Sequence, residues 1–140
     1  MDLQAETLVF VYGTLKPGGR YHDAYCGGFN FEGIEATTRG RLFDFPQLGY
    51  PGAVESETES IHGVLLCFQH PESEILPRLD KLEGYDPHRA DQFNEYYRKQ
   101  VEVRTESPTG RLYRAWCYFM TKEIVHRLGG AFIASGRWNA

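Results

Sequence analysis

Leu8-Val9-Phe10-Val11-Tyr12, closed by Gly13, is a dense apolar run rich in β-branched side chains. Its length suits a strand, and its lack of alternation predicts burial on both faces and a central place in a sheet. Further along, short strands are expected at Arg39-Gly40-Arg41-Leu42-Phe43 and at Gly63-Val64-Leu65-Leu66-Cys67-Phe68. The stretch from Phe45 to Gly52 between them is punctuated by Pro and Gly and reads as a surface loop. Tyr97 to Val103 and Leu112 to Phe119 flank the turn signal Ser107-Pro108-Thr109-Gly110, which predicts an antiparallel hairpin. A Gly-rich loop, Lys16-Pro17-Gly18-Gly19, follows the first strand, and a short helix through Tyr21 and Tyr25 would stop at Gly27-Gly28. Pro71 and Ser73 mark a helix start before Ile75, with Pro77 tolerated only in the first turn. Glu123 to Leu128 form a short amphipathic piece ended by Gly129-Gly130. Strands outnumber helices without regular alternation, so the fold class is α+β: a small mixed β-barrel or strongly curved sheet with short flanking helices.

With 140 residues the chain is most simply one domain, residues 1–140, with no internal repeat or linker. Basic and acidic residues are interspersed at a net charge of -4, leaving no Lys/Arg stripe for a phosphate backbone and no polybasic membrane patch. Nucleic acid and membrane are therefore not expected partners. Cys26, Cys67 and Cys117 are far apart and form no C-x-x-C pair, so they read as reduced, small hydrophobes. Met1 to Thr7 lacks the basic and apolar regions of a signal peptide, and no apolar run reaches spanning length. A cytoplasmic monomer is the expectation.

Ile75, Leu76, Leu79, Leu82 and Glu83 fall at offsets 0, 1, 4, 7 and 8, one face of a helix, while Arg78, Asp80 and Lys81 fall off it. Glu83 thus occupies a position where the period calls for an apolar side chain. An acid turned toward a core loses hydration, and at a helix C-terminus it meets the negative pole of the macrodipole. Both effects favour the protonated carboxyl and move its pKa toward the range useful for proton transfer. The same pattern also fits a helix that frays at Gly84 and lets Glu83 lean into solvent.

Other chemistry finds little support. His22, His62, His70, His88 and His126 never fall at H-x-H or H-x-x-x-H spacing, so no metal or other cofactor is expected. The loop from Gly13 to Gly19 follows a strand but lacks both nucleotide-binding Gly patterns. Ala134-Ser135-Gly136 is the nearest approach to a nucleophile elbow and has no base beside it, and Cys117 lies within a strand pattern. What remains is a carboxylate and a glycine-containing loop at the end of the central strand.

Val9-Phe10-Val11-Tyr12-Gly13-Thr14-Leu15, Leu79-Asp80-Lys81-Leu82-Glu83-Gly84-Tyr85 and Tyr96-Tyr97-Arg98-Lys99-Gln100-Val101-Glu102-Val103 together resemble the gamma-glutamylcyclotransferase-like family. That family includes gamma-glutamylamine cyclotransferases and the plant avirulence-induced-gene-like proteins. Ile133-Ala134-Ser135-Gly136-Arg137-Trp138 looks like its terminal motif, with Arg137 where an acid is frequent. The resemblance implies a small mixed β-barrel whose Tyr12-to-Leu15 loop and Glu83 face one cavity. It also implies a small-molecule substrate, a gamma-glutamyl amine or peptide, cyclised to 5-oxoproline with release of the amine and without a cofactor.

In that reaction Glu83 is the candidate base, able to take a proton from the substrate's α-ammonium and return it to the leaving amine. The backbone N–H groups of Gly13, Thr14 and Leu15 are candidate donors to the substrate's oxyanion or carboxylate. Tyr118 either offers its phenol to the substrate or Glu83, or packs half-buried on its strand. Arg98 is read as pairing across the hairpin with an acidic neighbour, in preference to binding a carboxylate. Tyr12 is counted among the candidate substrate-binding residues, packing under the loop or serving as an ordinary core aromatic, and Trp138 either closes the cavity or is an ordinary core aromatic. Two further readings fit the same residues: a ligand-binding domain without turnover, and removal of a related acyl group from a carrier or modified metabolite.

Overall fold

The computed structural model describes residues 7–19, 22, 26, 28–106 and 110–138. The short helix expected through Tyr21 and Tyr25, and Ser107-Pro108-Thr109 of the hairpin turn, lie outside the described residues.

β1 (Thr7–Val11) is the strand buried on both faces. It pairs antiparallel with β5 (Ser60–Phe68), placing Val9 opposite Leu66, and parallel with β7 (Leu112–Phe119), placing Phe10 opposite Cys117. β2 (Phe31–Arg39) lies between β5 and β6 (Tyr97–Thr105), and β6 pairs with β7, so the order β1-β5-β2-β6-β7 closes a mixed barrel. β3 (Arg41–Phe45), β4 (Tyr50–Val54) and β8 (Ala131–Phe132) form a small second sheet in the order β4-β3-β8. The helices are α1 (Glu72–Glu83) and α2 (Lys122–Arg127), with a 3₁₀ turn at Asp91–Phe93. Among the described residues no helix is long and apolar enough to cross a membrane.

Period-two alternation divides the barrel side chains between two cores. Phe10, Leu65, Ala36, Val103 and Cys117, one set from all five strands, meet in one cluster. Val9, Val11, Leu66, Phe68 and Tyr118 belong to the other and pack with Ile75 and Leu79 of α1 and Ile124 and Val125 of α2. The unbroken apolar run of β1 thus follows from its having a core on each side.

Several boundaries differ from the sequence reading. Arg39 to Phe43 is not one strand: Gly40 separates β2 from β3, where a β-carbon would meet Ile61 Cδ1 at 2.5 Å. The proposed loop Phe45–Gly52 shrinks to a turn, because Tyr50–Val54 is β4. Pro51 is tolerated there because β4 is an edge strand of its sheet and pairs along one side with β3. Pro77 lies in the helix interior, beyond the first turn. It sits on the exposed face, so the carbonyl deprived of its partner, that of the exposed Ser73, can bond water. Burial of Ile75, Leu76 and Leu79 on the opposite face keeps the helix in place.

Gly63 marks a close approach of β5 to β1. It faces Ala36 of β2, and a β-carbon on it would lie 2.2 Å from the carbonyl oxygen of Val11. Backbone must move to admit even a methyl group. Gly63→Ala is therefore expected to cost about 3 kcal/mol or more, read as a lower urea midpoint at unchanged slope. A midpoint equal to that of the wild type would show that β1 and β5 are not so tightly fixed.

Candidate active site

The apolar face of α1 ends at Leu82 and Glu83, and Gly84 terminates the helix in the left-handed conformation, φ 65° and ψ 33°. The N–H of Tyr85 closes on the carbonyl of Asp80 at 2.9 Å, so this end is capped and not frayed. Glu83 is half-buried and lines a cavity of about 160 Å³. The walls are Phe10 to Leu15 from β1 and its loop, Tyr50 and Pro51 from β4, Leu82 and Glu83 from α1, Glu95 and Tyr96 ahead of β6, and Tyr118 from β7. The candidates Tyr12, Gly13, Thr14, Leu15, Glu83 and Tyr118 are thus brought together around one space.

The loop after β1 is held by its carbonyls. Gly13 O accepts from the Lys16 N–H at 3.1 Å, Lys16 O from the Gly19 N–H at 2.6 Å, and Leu15 O from Nδ1 of buried His22 at 2.9 Å. The N–H groups of Gly13, Thr14 and Leu15 meet no protein acceptor among the described residues. They are free to bind a substrate oxygen. Gly13 is there for space: a β-carbon would lie 2.9 Å from Cδ and Cγ of Pro51. The carbonyl of Pro51 in turn accepts the Tyr96 hydroxyl at 2.5 Å. Tyr12 is buried, its hydroxyl donating to the Tyr118 carbonyl at 2.6 Å, so it packs the loop against β7.

Three carboxylates converge at the end of α1, and they differ in their partners. Asp80 is half-buried, although the period put it off the apolar face, and its Oδ1 accepts Arg98 Nε at 2.9 Å and the Tyr118 hydroxyl at 2.6 Å. Arg98 therefore pairs with an acid, but one on α1 and not across the hairpin. Its guanidinium also stacks 4.7 Å from the Trp116 ring centroid. The Tyr118 phenol is committed to Asp80 and makes no hydrogen bond to Glu83. Glu95 accepts the Tyr50 hydroxyl, 2.9 Å from Oε2. The Glu83 carboxyl has no hydrogen-bond partner and no cation among the described residues.

Electrostatics follow from this arrangement. Burial pushes Glu83 up to about 8, with the Glu95 and Asp80 charges adding to the displacement. Tyr12, Tyr96 and Tyr118 are all held above the usual phenol range, first by burial, so they are neutral donors at any physiological pH. Cys117 is likewise pushed up by burial and is inert as a nucleophile. Trp138 is not part of the cavity: it lies in the barrel core, donating Nε1 to Asp44 at 3.0 Å while its carbonyl accepts Lys16 Nζ at 3.2 Å. Among the described residues no group of three or more His, Cys, Asp or Glu is placed to hold a metal ion.

Glu95, Tyr50, Asp80 and His22 escaped the sequence reading. Glu95 and Tyr50 sit in segments that read as loops, and a lone His carries no positional signal. Only the half-buried state of Asp80 has a trace in the sequence, as an acid between Leu79 and Lys81, two residues ahead of Leu82.

A family model described as gamma-glutamyl cyclotransferase, AIG2-like, matches residues 9–140. The chain belongs to this gamma-glutamyl cyclotransferase, AIG2-like family. Comparison with curated proteins yields no match. Among solved structures, an AIG2-like protein from Mus musculus superposes with a TM-score of 0.71 at 17% identity, covering 95% of this chain and 88% of the mouse chain. At that identity the likeness concerns the fold alone. A solution structure from Arabidopsis thaliana, At5g39720.1, gives 0.62 at 26% identity over 84% of this chain and 70% of its own. YkqA from Bacillus subtilis gives 0.63 at 25% identity over 94% of this chain, which spans only 39% of the YkqA chain.

A displaced carboxyl in a member of this family has a thermodynamic signature. In the unfolded chain Glu83 titrates near its ordinary value of 4.5, whereas in the fold it keeps its proton up to about 8. Between those values the folded state binds more protons, so Glu83 lowers stability as pH rises and the full cost is present above about pH 8. Glu83→Gln removes the titration while adding a pH-independent offset. Relative to the wild type, the variant is expected to gain on the order of a few kcal/mol between pH 4.5 and 8, reduced by screening at the half-exposed carboxyl. Urea unfolding at both pH values measures this; a difference that stays constant would place Glu83 in water.

Proposed function

We propose that the protein cyclises a gamma-glutamyl amine or peptide to 5-oxoproline and releases the amine, with Glu83 moving the proton. The observation that carries this reading is the disposition of the three acids: Asp80 and Glu95 have protein partners, and Glu83 alone faces the cavity unpartnered. Family membership supports the reaction class, and the unpartnered N–H groups of residues 13–15 support oxyanion binding.

The chemistry needs little more. The α-amine of the substrate arrives as an ammonium and cannot attack its own γ-carbonyl until it loses a proton. An ammonium beside Glu83 favours the carboxylate, offsetting the effect of burial, so binding itself prepares the base. Glu83 takes the proton, the amine closes on the γ-carbon, and negative charge builds on the carbonyl oxygen. The N–H groups of Gly13, Thr14 and Leu15 receive that charge, and each such donor supplies on the order of 3 kcal/mol in acyl-transfer sites. Protonated Glu83 then returns the proton to the leaving nitrogen as the carbon–nitrogen bond breaks, and the carboxylate so regenerated takes the second proton from the ring nitrogen, which leaves a neutral lactam, and passes it to the released amine or to water. Because nucleophile and electrophile belong to one molecule, the cavity has mainly to select the folded conformer.

The test is release of 5-oxoproline from a panel of gamma-glutamyl amines and peptides. Glu83→Gln is expected to lower kcat by about 10²- to 10⁴-fold, and activity retained in that variant would sink the mechanism. For the wild type, kcat/KM should rise with pH through about 8, since the base works only when ionised. A flat profile across pH 6 to 9 would rule Glu83 out as the base, and saturable binding without turnover of any member would favour the ligand-binding reading.

A further inference from the structure

The cavity contains a second carboxylate that the proton transfer does not use. Glu95 lies between the 3₁₀ turn and β6, and its placement is built with some care. Asn94, 1% exposed, accepts the Asp86 N–H at 3.0 Å and donates Nδ2 to the Asp86 carbonyl at 3.1 Å, closing the preceding loop on itself. A β-carbon on Gly84 would lie 3.8 Å from Cβ of Glu95, so Glu95 stands beside the helix end that carries Glu83. Tyr50 donates to its carboxylate, and the Tyr50 ring lies 6.4 Å from that of Tyr96. Among the described residues Glu95 has no Lys, Arg or His partner, and none of these lines the cavity. Two carboxylates thus share a partly dry space without a cation between them, an arrangement stable only with a cationic ligand or a retained proton.

We propose that Glu95, oriented by Tyr50, is the residue that binds the substrate's α-ammonium and holds the resulting amine in line while Glu83 acts on it. The inference rests on the cyclotransferase reading and extends it to substrate recognition. Glu83 has to take the proton and give it back, whereas a second carboxylate held by Tyr50 can accept an N–H hydrogen bond from the ammonium and then from the amine left behind. The Tyr50 hydroxyl donates to Glu95 and fixes the orientation of its carboxylate. Its charge also acts on Glu83, whose other titratable neighbours are Asp80 on its own helix, Tyr12 from β1, Tyr96 ahead of β6, and Cys117 and Tyr118 from β7. The phenols and the thiol are neutral and Asp80 is paired with Arg98, which leaves Glu95 as the adjustable charge.

The probe pair is gamma-glutamyl-n-butylamide and its des-amino analogue, which lacks the ammonium and cannot cyclise. In calorimetric titrations the wild type should bind the amine-bearing ligand at least tenfold more tightly, and Glu95→Gln should erase that preference. In turnover, Glu95→Gln should raise KM about tenfold or more with a smaller fall in kcat, and should move the rising limb of the kcat/KM profile to lower pH. Glu95→Asp should recover part of both effects. Tyr50→Phe, which keeps the charge and loses its clamp, should give an intermediate KM, and it decides the matter if Glu95→Gln does not fold. Equal binding of the two ligands by the wild type overturns the assignment whether or not 5-oxoproline forms. Turnover with an unchanged KM and an unmoved pH limb in Glu95→Gln also overturns it while leaving the cyclotransferase reading standing. A binding preference that disappears in Glu95→Gln, in a protein that releases no 5-oxoproline, keeps the ammonium site and rejects the reaction.

Discussion

Arg98 reaches the acids gathered at the end of α1, and it is committed to Asp80 by a 2.9 Å ion pair under the Trp116 ring. The pair is largely buried, with a side-chain exposure of 20% for Arg98 and 14% for Asp80, and the Tyr118 phenol completes it. Losing either partner would leave a charge stranded in the wall of the cavity, which in buried pairs costs several kcal/mol. Asp80 therefore fixes α1 against β6 and β7 and, three residues on, fixes Glu83. Because the guanidinium is already engaged, Glu83 is left without a counter-ion among the described residues. Burial, with the Glu95 and Asp80 charges, then raises its proton affinity unopposed.

The opposite wall of the cavity depends on β1. A strand with a core on each face cannot slide by one residue without exchanging Phe10 for Val9 or Val11 between two packed interiors, so its register is fixed. Its end is fixed as well, and with it the loop that carries the three unpartnered N–H groups. Gly63 allows β5 to close on the Val11 carbonyl, and Gly13 allows Pro51 of the second sheet to close on the loop. Barrel, second sheet and α1 therefore meet where β1 stops. The acid and the amide donors are held by different elements, yet both refer to one strand.

Legibility in the sequence followed how local each cause was. β1 and the β6–β7 hairpin were readable because apolar runs and turn residues are local signals, and Glu83 was readable because a carboxylate broke a helical period. β2 was not expected as a strand, since Phe31 to Arg39 intersperses Glu32, Gly33 and Glu35 with its apolar residues and owes its strand state to partners on both edges. β4 reads as loop in the sequence because Pro51 and Gly52 are strand breakers in general, and only its place at a sheet edge makes Pro51 acceptable. Asp80 looked exposed because helical periodicity carries no information about an arginine and a tyrosine arriving from another strand pair. Glu95 and Tyr50 are 45 residues apart, and their contact exists only after the second sheet has docked against the barrel.

An unpartnered, half-buried acid is a local inconsistency in an otherwise consistent fold, and such inconsistencies persist where chemistry requires them. On the proposed reaction a cation paired with Glu83 would hold it ionised and leave it a poor proton acceptor near neutral pH. An apolar residue there would satisfy the helix and leave nothing to accept one. On the proposed reaction the substrate supplies both nucleophile and electrophile, so the protein need contribute only a proton acceptor, fixed N–H donors and a hold on the ammonium. The cavity offers one group or set for each, drawn from α1, the β1 loop and the segment ahead of β6. A site without a protein nucleophile is then sufficient on that reaction, because what it must control is the movement of protons off one nitrogen and the shape of one folded chain.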